Sequence, residues 1–121
     1  IEPELREGND EIELAKTGQL PKLIQLRDIC GDLHSHTTET DGKDTLEVMV
    51  KAAIEKGYSY LAITDHSQRL KITNGMDERR LRIQIEEIDK LNEKLKHFKI
   101  LKSMEVDILE DGSLDLKNEM L

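Results

Sequence analysis

The chain has 121 residues, a formal net charge of −8 and no tryptophan. This length suits one domain with a modest core, and the acidic balance argues against a basic nucleic-acid-binding surface. No run approaches the ~18 apolar residues of a membrane span, and no signal-peptide pattern opens the chain. We therefore expect a folded globular protein with no membrane partner and a cytoplasmic location.

The first 28 residues are predicted to be a linker and a short helix. Asp10 and Glu13 fit a capping box at the start of that helix, and Gly18 fits its end. The first strand is predicted at residues 29–34, inside an apolar run. Cys30 lies in this run and is expected to be a small buried side chain rather than a reactive thiol. A single cysteine cannot form an internal disulfide, which fits a reducing cytoplasm.

Helices and strands are predicted to alternate through the rest of the chain. A second capping box at residues 44–47 opens a helix that Gly57 ends. A buried strand follows at 58–64, then a loop at 67–76, an amphipathic helix at 77–96, a strand at 98–104 and a turn at 109–113. The two helices are predicted to bury Leu46, Met49, Val50, Ala53 and Ile54, and Leu81, Ile85, Ile88, Leu91 and Leu95. This order suits parallel pairing and an α/β fold.

Side chains of the metal-ligand type follow each predicted strand. His34 and His36 come at the end of the first strand and face one side, because side chains alternate along a strand. Asp41 lies in the loop that follows, His66 comes after the second strand, and Glu105 after the third. The carboxyl ends of neighbouring parallel strands, about 4.8 Å apart, form one edge. The sequence therefore predicts a common pocket for these groups.

Imidazoles mixed with carboxylates favour borderline metals such as Zn²⁺ and Mn²⁺ over Mg²⁺. A pair of such ions about 3.5–4 Å apart activates water and stabilises an in-line phosphoryl displacement. This chemistry predicts a phosphoester hydrolase, with a metal-binding amidohydrolase as an equal alternative. Clustered carboxylates that hold cations would also account for part of the acidic charge.

The neighbours of these ligands have less specific readings. Asp65 is interpreted as orienting a histidine, or alternatively as a turn cap. Arg69 and Lys71 are candidates for holding a substrate phosphate, or else are solubility charges of the loop. Asp107 alternates with Glu105 but lies farther from the strand end, so Glu105 is the preferred ligand.

His97 lies at the end of the long helix and is expected to be solvated. The segment from Asp115 to Leu121 looks like the opening of a helix. Together with the start at Ile1 rather than Met, this suggests a piece of a longer protein.

Three motifs together resemble the PHP (polymerase and histidinol phosphatase) family. They are Asp32-Leu33-His34-Ser35-His36 with Thr40-Asp41-Gly42, then Ile63-Thr64-Asp65-His66-Ser67, then Glu105-Val106-Asp107-Ile108. Within the family, the chain is most similar to the C-terminal PHP domain of bacterial and archaeal family X DNA polymerases. That narrower likeness depends on Pro3-Glu4-Leu5-Arg6-Glu7, on the stretch from Ser67 through Asn74-Gly75-Met76 and on the stretch from Lys102 to Leu109.

The resemblance implies a distorted (β/α)7 barrel. Residues 29–121 would supply its first three β/α units, truncated before the later motifs, and residues 1–28 would lead from an upstream polymerase core. It also implies up to three Mn²⁺ or Zn²⁺ ions. His34 and His36 would hold one ion, Glu105 would bridge two, and Asp41 with His66 would serve the third.

The implied activity is hydrolysis of DNA phosphodiesters, as a 3′-5′ exonuclease or in abasic-site processing during repair, with DNA as the partner. The isolated segment is expected to bind metal weakly and to turn over nothing. One alternative is a histidinol-phosphate-type phosphatase of the same fold. The other is a non-catalytic, metal-stabilised domain that supports a polymerase.

Overall fold

The structure is a computed structural model, which describes residues 1–116. Its helices and strands are α1 (Glu11–Thr17), β1 (Gly31–Asp32), α2 (Leu46–Glu55), β2 (Tyr60–Ile63), α3 (Glu78–Lys94) and β3 (Lys99–Lys102). Short 3-10 turns occur at Pro3–Leu5, Leu26–Asp28 and Lys71–Thr73. Most of the helix opening predicted at 115–121 lies outside the described residues.

The three strands form a parallel sheet in the order β1-β2-β3. Pairing continues in the same register beyond the strands: the Thr64 amide donates to the Ser35 carbonyl at 2.8 Å, and His66 and Glu105 form a parallel bridge. The predicted α/β class with a parallel sheet is therefore confirmed. The seven-strand barrel stays a prediction.

The main core lies between one face of the sheet and two helices. Leu61 pairs with Ile100 across β2 and β3, and Ile63 lies two residues further on the same face. These three residues join one cluster with buried residues of α2 and α3, so both helices cover the same face. The other buried members of the cluster are Leu46, Val50, Ala53, Ile88 and Phe98.

The predicted helix faces are largely confirmed. Met49, Leu91 and Leu95 pack against the main core. A second cluster of Met76, Leu81 and Leu116 has Ile85 packed against it. Ile54 is the exception, because this residue is 42% exposed.

Two predicted helix starts differ from the structure. Thr45, and not Asp44, caps α2 by accepting a bond from the Val48 amide. At α1 the predicted capping box is wrong, because Asp10 makes no side-chain cap bond. Instead the Glu11 carboxylate accepts bonds from two upstream amides, those of residues 8 and 9.

The first apolar run is not a buried strand. β1 has only two residues, Cys30 is exposed, and Leu26 and Leu33 are 85% and 63% exposed. Among the residues that the structure describes, β1 pairs only with β2 and the main core includes no residue of this run, so little of the run is covered. The prediction of a buried Cys30 was therefore wrong.

Candidate metal centre

The predicted ligands after the strands converge on one another. His34 Nε2 lies 2.8 Å from Glu105 Oε2, and His36 Nε2 lies 3.1 Å from the same oxygen. The two Nε2 atoms are 3.1 Å apart. Ser35 lies between the two histidines in the chain, and its hydroxyl donates to the Ala62 carbonyl of β2 at 2.6 Å. This bond fixes the backbone from which both imidazoles extend.

These separations can be tested against metal geometry. With bonds of about 2.1 Å, neighbouring ligand atoms lie about 3.0 Å apart in an octahedral site and about 3.4 Å apart in a tetrahedral one. The three distances among His34, His36 and Glu105 run from 2.8 to 3.1 Å. The donor set therefore fits one face of a six-coordinate divalent ion, and two imidazoles with a carboxylate suit Mn²⁺ or Zn²⁺.

A second group of possible ligands shares His36 with the first. It consists of His36, Asp41 and His66, whose ligand atoms lie within 4.8 Å of one another. Asp41 Oδ1 is 2.9 Å from His36 Nδ1, and Asp41 Oδ2 is 3.3 Å from His66 Nε2. Glu105 Oε1 lies 3.7 Å from His66 Nδ1, so the two oxygens of Glu105 face different histidines.

The surroundings of His36 favour a cation. If its Nδ1–H donates to Asp41, its Nε2 carries a lone pair directed toward the Glu105 carboxylate and the His34 ring. That crowding of lone pairs is unfavourable unless a proton or a metal ion lies among them. A carboxylate that fixes the tautomer of a histidine ligand is the usual support of a metal site.

The pKa of the Asp41 carboxyl is held below its usual range. Desolvation by burial raises this pKa, but the charges of His66 and His36 and a hydrogen bond from His36 together lower it by more than burial raises it. Asp41 is therefore ionised and available as a ligand or acceptor near neutral pH.

A tight loop returns Asp41 to the histidines. The amide of Gly42 donates to the Thr37 carbonyl at 2.9 Å, and the Thr38 amide donates to Asp44 at 3.0 Å. A Cβ at Gly42 would lie 2.4 Å from the carbonyl oxygen of His36. This close approach requires glycine, so the Asp-Gly pair is part of how the loop folds back.

Asp65 holds that loop from below and is fully buried. Its carboxylate accepts bonds from the Thr37 amide at 2.7 Å, the Thr37 hydroxyl at 2.6 Å and the Thr40 hydroxyl. The fourth donor is the Gln84 amide of α3 at 2.6 Å. None of these four donors is an imidazole, so the predicted role of Asp65 in orienting a histidine would act through the backbone that carries His36 and stays a prediction.

Sequence reasoning missed Thr37, Thr40 and Gln84 as supports. Gln84 gave one usable signal, since it is a polar residue three positions after Leu81 on the apolar stripe of α3. A buried amide in such a stripe needs a polar partner.

Arg69 and Lys71 lie exposed on the loop at 67–76, which follows His66. The Met76 amide donates to the His66 carbonyl at 2.7 Å, which closes the loop. Among the described residues, neither cationic side chain bonds to the ligand groups. Their predicted contact with a substrate phosphate stays a prediction.

Another support that the sequence did not reveal is Asp115. Its carboxylate accepts from the Ser67 hydroxyl at 2.8 Å, the Arg69 amide at 3.1 Å and the Asp107 amide at 3.1 Å. Asp107 thus belongs to this support, whereas Glu105 joins the ligand groups.

The remaining histidine, His97, is exposed, as predicted. In the part of the chain that the structure describes, no helix has the length and apolar character needed to cross a membrane.

Comparison with known proteins agrees with the geometry. The model of the PHP domain family matches residues 32–120. All 121 residues align at 48% identity with the DNA polymerase/3′-5′ exonuclease PolX of Bacillus subtilis, of which the chain covers 21%. A 47-residue stretch, 39% of the chain, is 47% identical to the 5′-3′ exoribonuclease Rnm of Salmonella typhimurium and of Escherichia coli, covering 16% of each.

The chain spans 21% of the length of the relative that it matches from end to end. That match confirms the likeness to the PHP domain of family X DNA polymerases, and the family model covers most of the chain, including every proposed ligand. The chain therefore belongs to the PHP domain family.

Proposed function

We propose that the chain is part of a metal-dependent nuclease domain of a family X DNA polymerase, which hydrolyses DNA phosphodiesters from a 3′ end during repair. The observation that carries this proposal is the set of three ligand atoms from His34, His36 and Glu105 within 3.1 Å of one another. The name of the PolX relative, a DNA polymerase/3′-5′ exonuclease, supports the choice of DNA and of 3′-5′ polarity.

The proposed ligands divide between the two groups. His34, His36 and Glu105 would hold one Mn²⁺ or Zn²⁺ ion, and Asp41 with His66 would serve another. The two oxygens of Glu105 face different histidines, which suits a carboxylate that bridges two ions. Up to three ions are proposed for the complete domain. When bound, such ions supply Lewis-acid activation of water and neutralise charge on the phosphate.

The other residues have supporting roles. Asp41 keeps the His36 Nδ1 proton in place, which leaves Nε2 as the ligand atom. Asp65 holds the loop that carries Asp41. Arg69 and Lys71, on the neighbouring loop, are proposed to bind the substrate phosphate.

The chain would be one segment of a longer cytoplasmic enzyme. Residues 1–28 would connect to an upstream polymerase core, and residues 29–121 would form the first three β/α units of a seven-stranded barrel. Because the remaining ligands of the complete domain would come from elsewhere, we expect the isolated 121-residue segment to hydrolyse nothing. Metal-dependent turnover by that segment would contradict this part of the proposal.

The decisive experiment uses the full-length parent protein, its His36→Ala variant and a matched His97→Ala control. Metal content is measured by elemental analysis, and hydrolysis is followed on end-labelled single strands of DNA and RNA. We expect His36→Ala to lose metal and exonuclease activity while polymerisation continues, and His97→Ala to retain all three.

Two other outcomes of this experiment would each favour a different function. Hydrolysis of RNA from the 5′ end in preference to DNA would favour a 5′-3′ exoribonuclease like the Rnm relatives. A lower melting temperature of the His36→Ala variant, with no metal-dependent hydrolysis in the parent, would favour a structural domain.

A further inference from the structure

Two loops border the candidate metal centre. The first loop, residues 37–44, follows His36 and carries Asp41. The second loop, residues 67–76, follows His66 and carries Arg69 and Lys71. If both loops act on one substrate, something must hold them in a constant relation to each other.

One arginine contacts both loops. Arg80 Nη1 donates to the Asn74 carbonyl at 2.8 Å and lies 3.4 Å from the Gly75 carbonyl, both in the second loop. Its Nη2 donates to the carbonyl of Glu39 in the first loop and lies 3.7 Å from the Glu39 carboxylate. The Asn74 side-chain amide donates to the same Glu39 carbonyl at 3.2 Å, so the two loops are also tied directly.

The base of Arg80 is itself held in place. Its amide donates to the Asp77 side chain at 2.9 Å, within the N-terminal cap of α3. Asn74 adopts the left-handed conformation, with φ of 56°, which ends the 3-10 turn and turns its carbonyl toward the guanidinium. The arrangement therefore links a helix start, a loop end and a second loop through one side chain.

Arginine suits this position because its donors form a rigid planar fork. Two different nitrogens reach two different loops, a geometry that the single ammonium of lysine cannot reproduce. Arg82, on the same helix, is exposed and makes no side-chain bond among the described residues. Arg82 therefore serves as an example of a surface arginine of α3 that lacks the loop contacts of Arg80.

We propose that Arg80 is a positioning residue that couples the first loop to the second, so that Asp41 and the cations Arg69 and Lys71 face the same space. The inference rests on the proposed function for its effect on catalysis. Arg80 acts through the two loop backbones, because its Nη1 and Nη2 atoms both donate to loop carbonyls.

The test compares Arg80→Lys and Arg80→Ala with Arg82→Lys and Arg82→Ala in the full-length protein. Hydrogen exchange of loop amides is measured first, at Thr38, Thr40 and Gly42 in the first loop and at Thr73, Asn74 and Gly75 in the second, all hydrogen-bonded in the structure. We expect both loops to exchange faster together in the Arg80 variants, by about tenfold or more, since charge-assisted bonds are lost. Neither loop should change in the Arg82 variants.

Steady-state hydrolysis of a single-stranded DNA oligonucleotide with Mn²⁺ gives the second readout. We expect Arg80→Lys to raise KM and to lower kcat, while the ion held by His34, His36 and Glu105 stays bound. A variant that only lost stability would instead lower the active fraction, with KM unchanged.

A further substitution removes the direct tie between the loops, together with the Asn74 side-chain oxygen that lies 3.5 Å from Arg80 Nη1. Asn74→Gly keeps the left-handed backbone and removes only the side-chain amide, so we expect a smaller effect on both loops than that of Arg80→Ala.

Several results would overturn the coupling. They are a change in one loop alone, no change in either, an equal response in the Arg82 variants, or a uniform rise in exchange throughout the domain in both Arg80 variants. If the wild-type protein hydrolyses no substrate, the proposed function fails, yet the exchange comparison still decides whether Arg80 couples the loops.

Discussion

Replacement of Asp65 tests how the first loop is held. The carboxylate is fully buried and accepts four hydrogen bonds, three from the loop and one from Gln84. The Oδ2 atom accepts from the Thr37 hydroxyl and the Gln84 amide. In Asp65→Asn, the new amide nitrogen can replace only Oδ2, because the Thr37 hydroxyl can accept a bond and the Gln84 amide can rotate to offer its oxygen. The Oδ1 side faces the Thr37 amide, which can only donate.

The magnitude follows from these bonds. Bonds to a charged group contribute about 1.5–3 kcal/mol against about 0.5–1.5 for neutral ones, but the neutral amide also avoids the desolvation cost of a buried charge. We expect Asp65→Asn to reduce the free energy of unfolding by about 1–3 kcal/mol. Asp65→Ala should cost about 3–5 kcal/mol, because it leaves buried donors without a partner.

The assay is urea unfolding of the 121-residue chain in chelator, followed by circular dichroism. Asp89→Asn is the matched control, since Asp89 and Lys102 form a surface pair 2.9 Å apart with side chains 53% and 45% exposed. Such a pair contributes less than about 1 kcal/mol. If Asp65→Asn and Asp89→Asn had equal midpoints, the reasoning about the buried carboxylate would be refuted.

The remaining predictions concern single groups. Glu105→Gln should weaken Mn²⁺ binding by about tenfold or more in a calorimetric titration, and equal affinities of this variant and the exposed-turn control Glu110→Gln would contradict the ligand assignment. The Ser113 hydroxyl and amide hold the pKa of Asp111 below its usual value, so Ser113→Ala should raise the titration midpoint of Asp111 in an NMR experiment. Because the pKa of Asp111 is lower in the folded state, the contact with Ser113 stabilises the protein above the ordinary carboxyl pKa, and this stabilisation is lost as the pH falls through the lowered value. The stabilities of wild type and variant should therefore converge in acid. An unchanged titration midpoint of Asp111 would count against the contact. The exposed Cys30 thiol should react with a thiol reagent without denaturant, whereas reaction only after unfolding would mean that it is buried.

The convergence of the ligands was predictable because backbone geometry alone produces it. His34 and His36 lie beyond the end of β1, but the Thr64 amide still donates to the Ser35 carbonyl between them, so both imidazoles come to one side. In the same way, parallel pairing carries His66 next to Glu105. The apolar stripe of α3 was equally direct, since Leu81 and Ile88 are buried where the helical period places them.

The supports of the site were not predictable by the same means. Asp65 binds Thr37 and Gln84, which are 28 and 19 residues away, and no local pattern links such partners. Arg80 looks like any other cation of a charged helix until the loops that it contacts are in place.

Other errors had a simpler origin. An apolar run indicates that a segment has side chains suited to burial, but not that another element covers them. The run at 26–33 is such a case, because several of its apolar residues are exposed. At α2, Asp44 and Thr45 are both competent caps, and only the path of the backbone decides between them.

The bridge between His66 and Glu105 keeps the register of β2 and β3, although two residues separate it from the last pair of the ladder, and this restricts how the protein can change in length. Inserting or deleting one residue between Ile63 and His66 would exchange the two faces of the chain there, the face toward α3 and the face toward the ligands. Asp65 would then point among the ligands, and an imidazole would face the donors of α3. Only a change of two residues would restore the alternation, so this motif can lengthen or shorten only in steps of two residues, set by the pleat of the sheet.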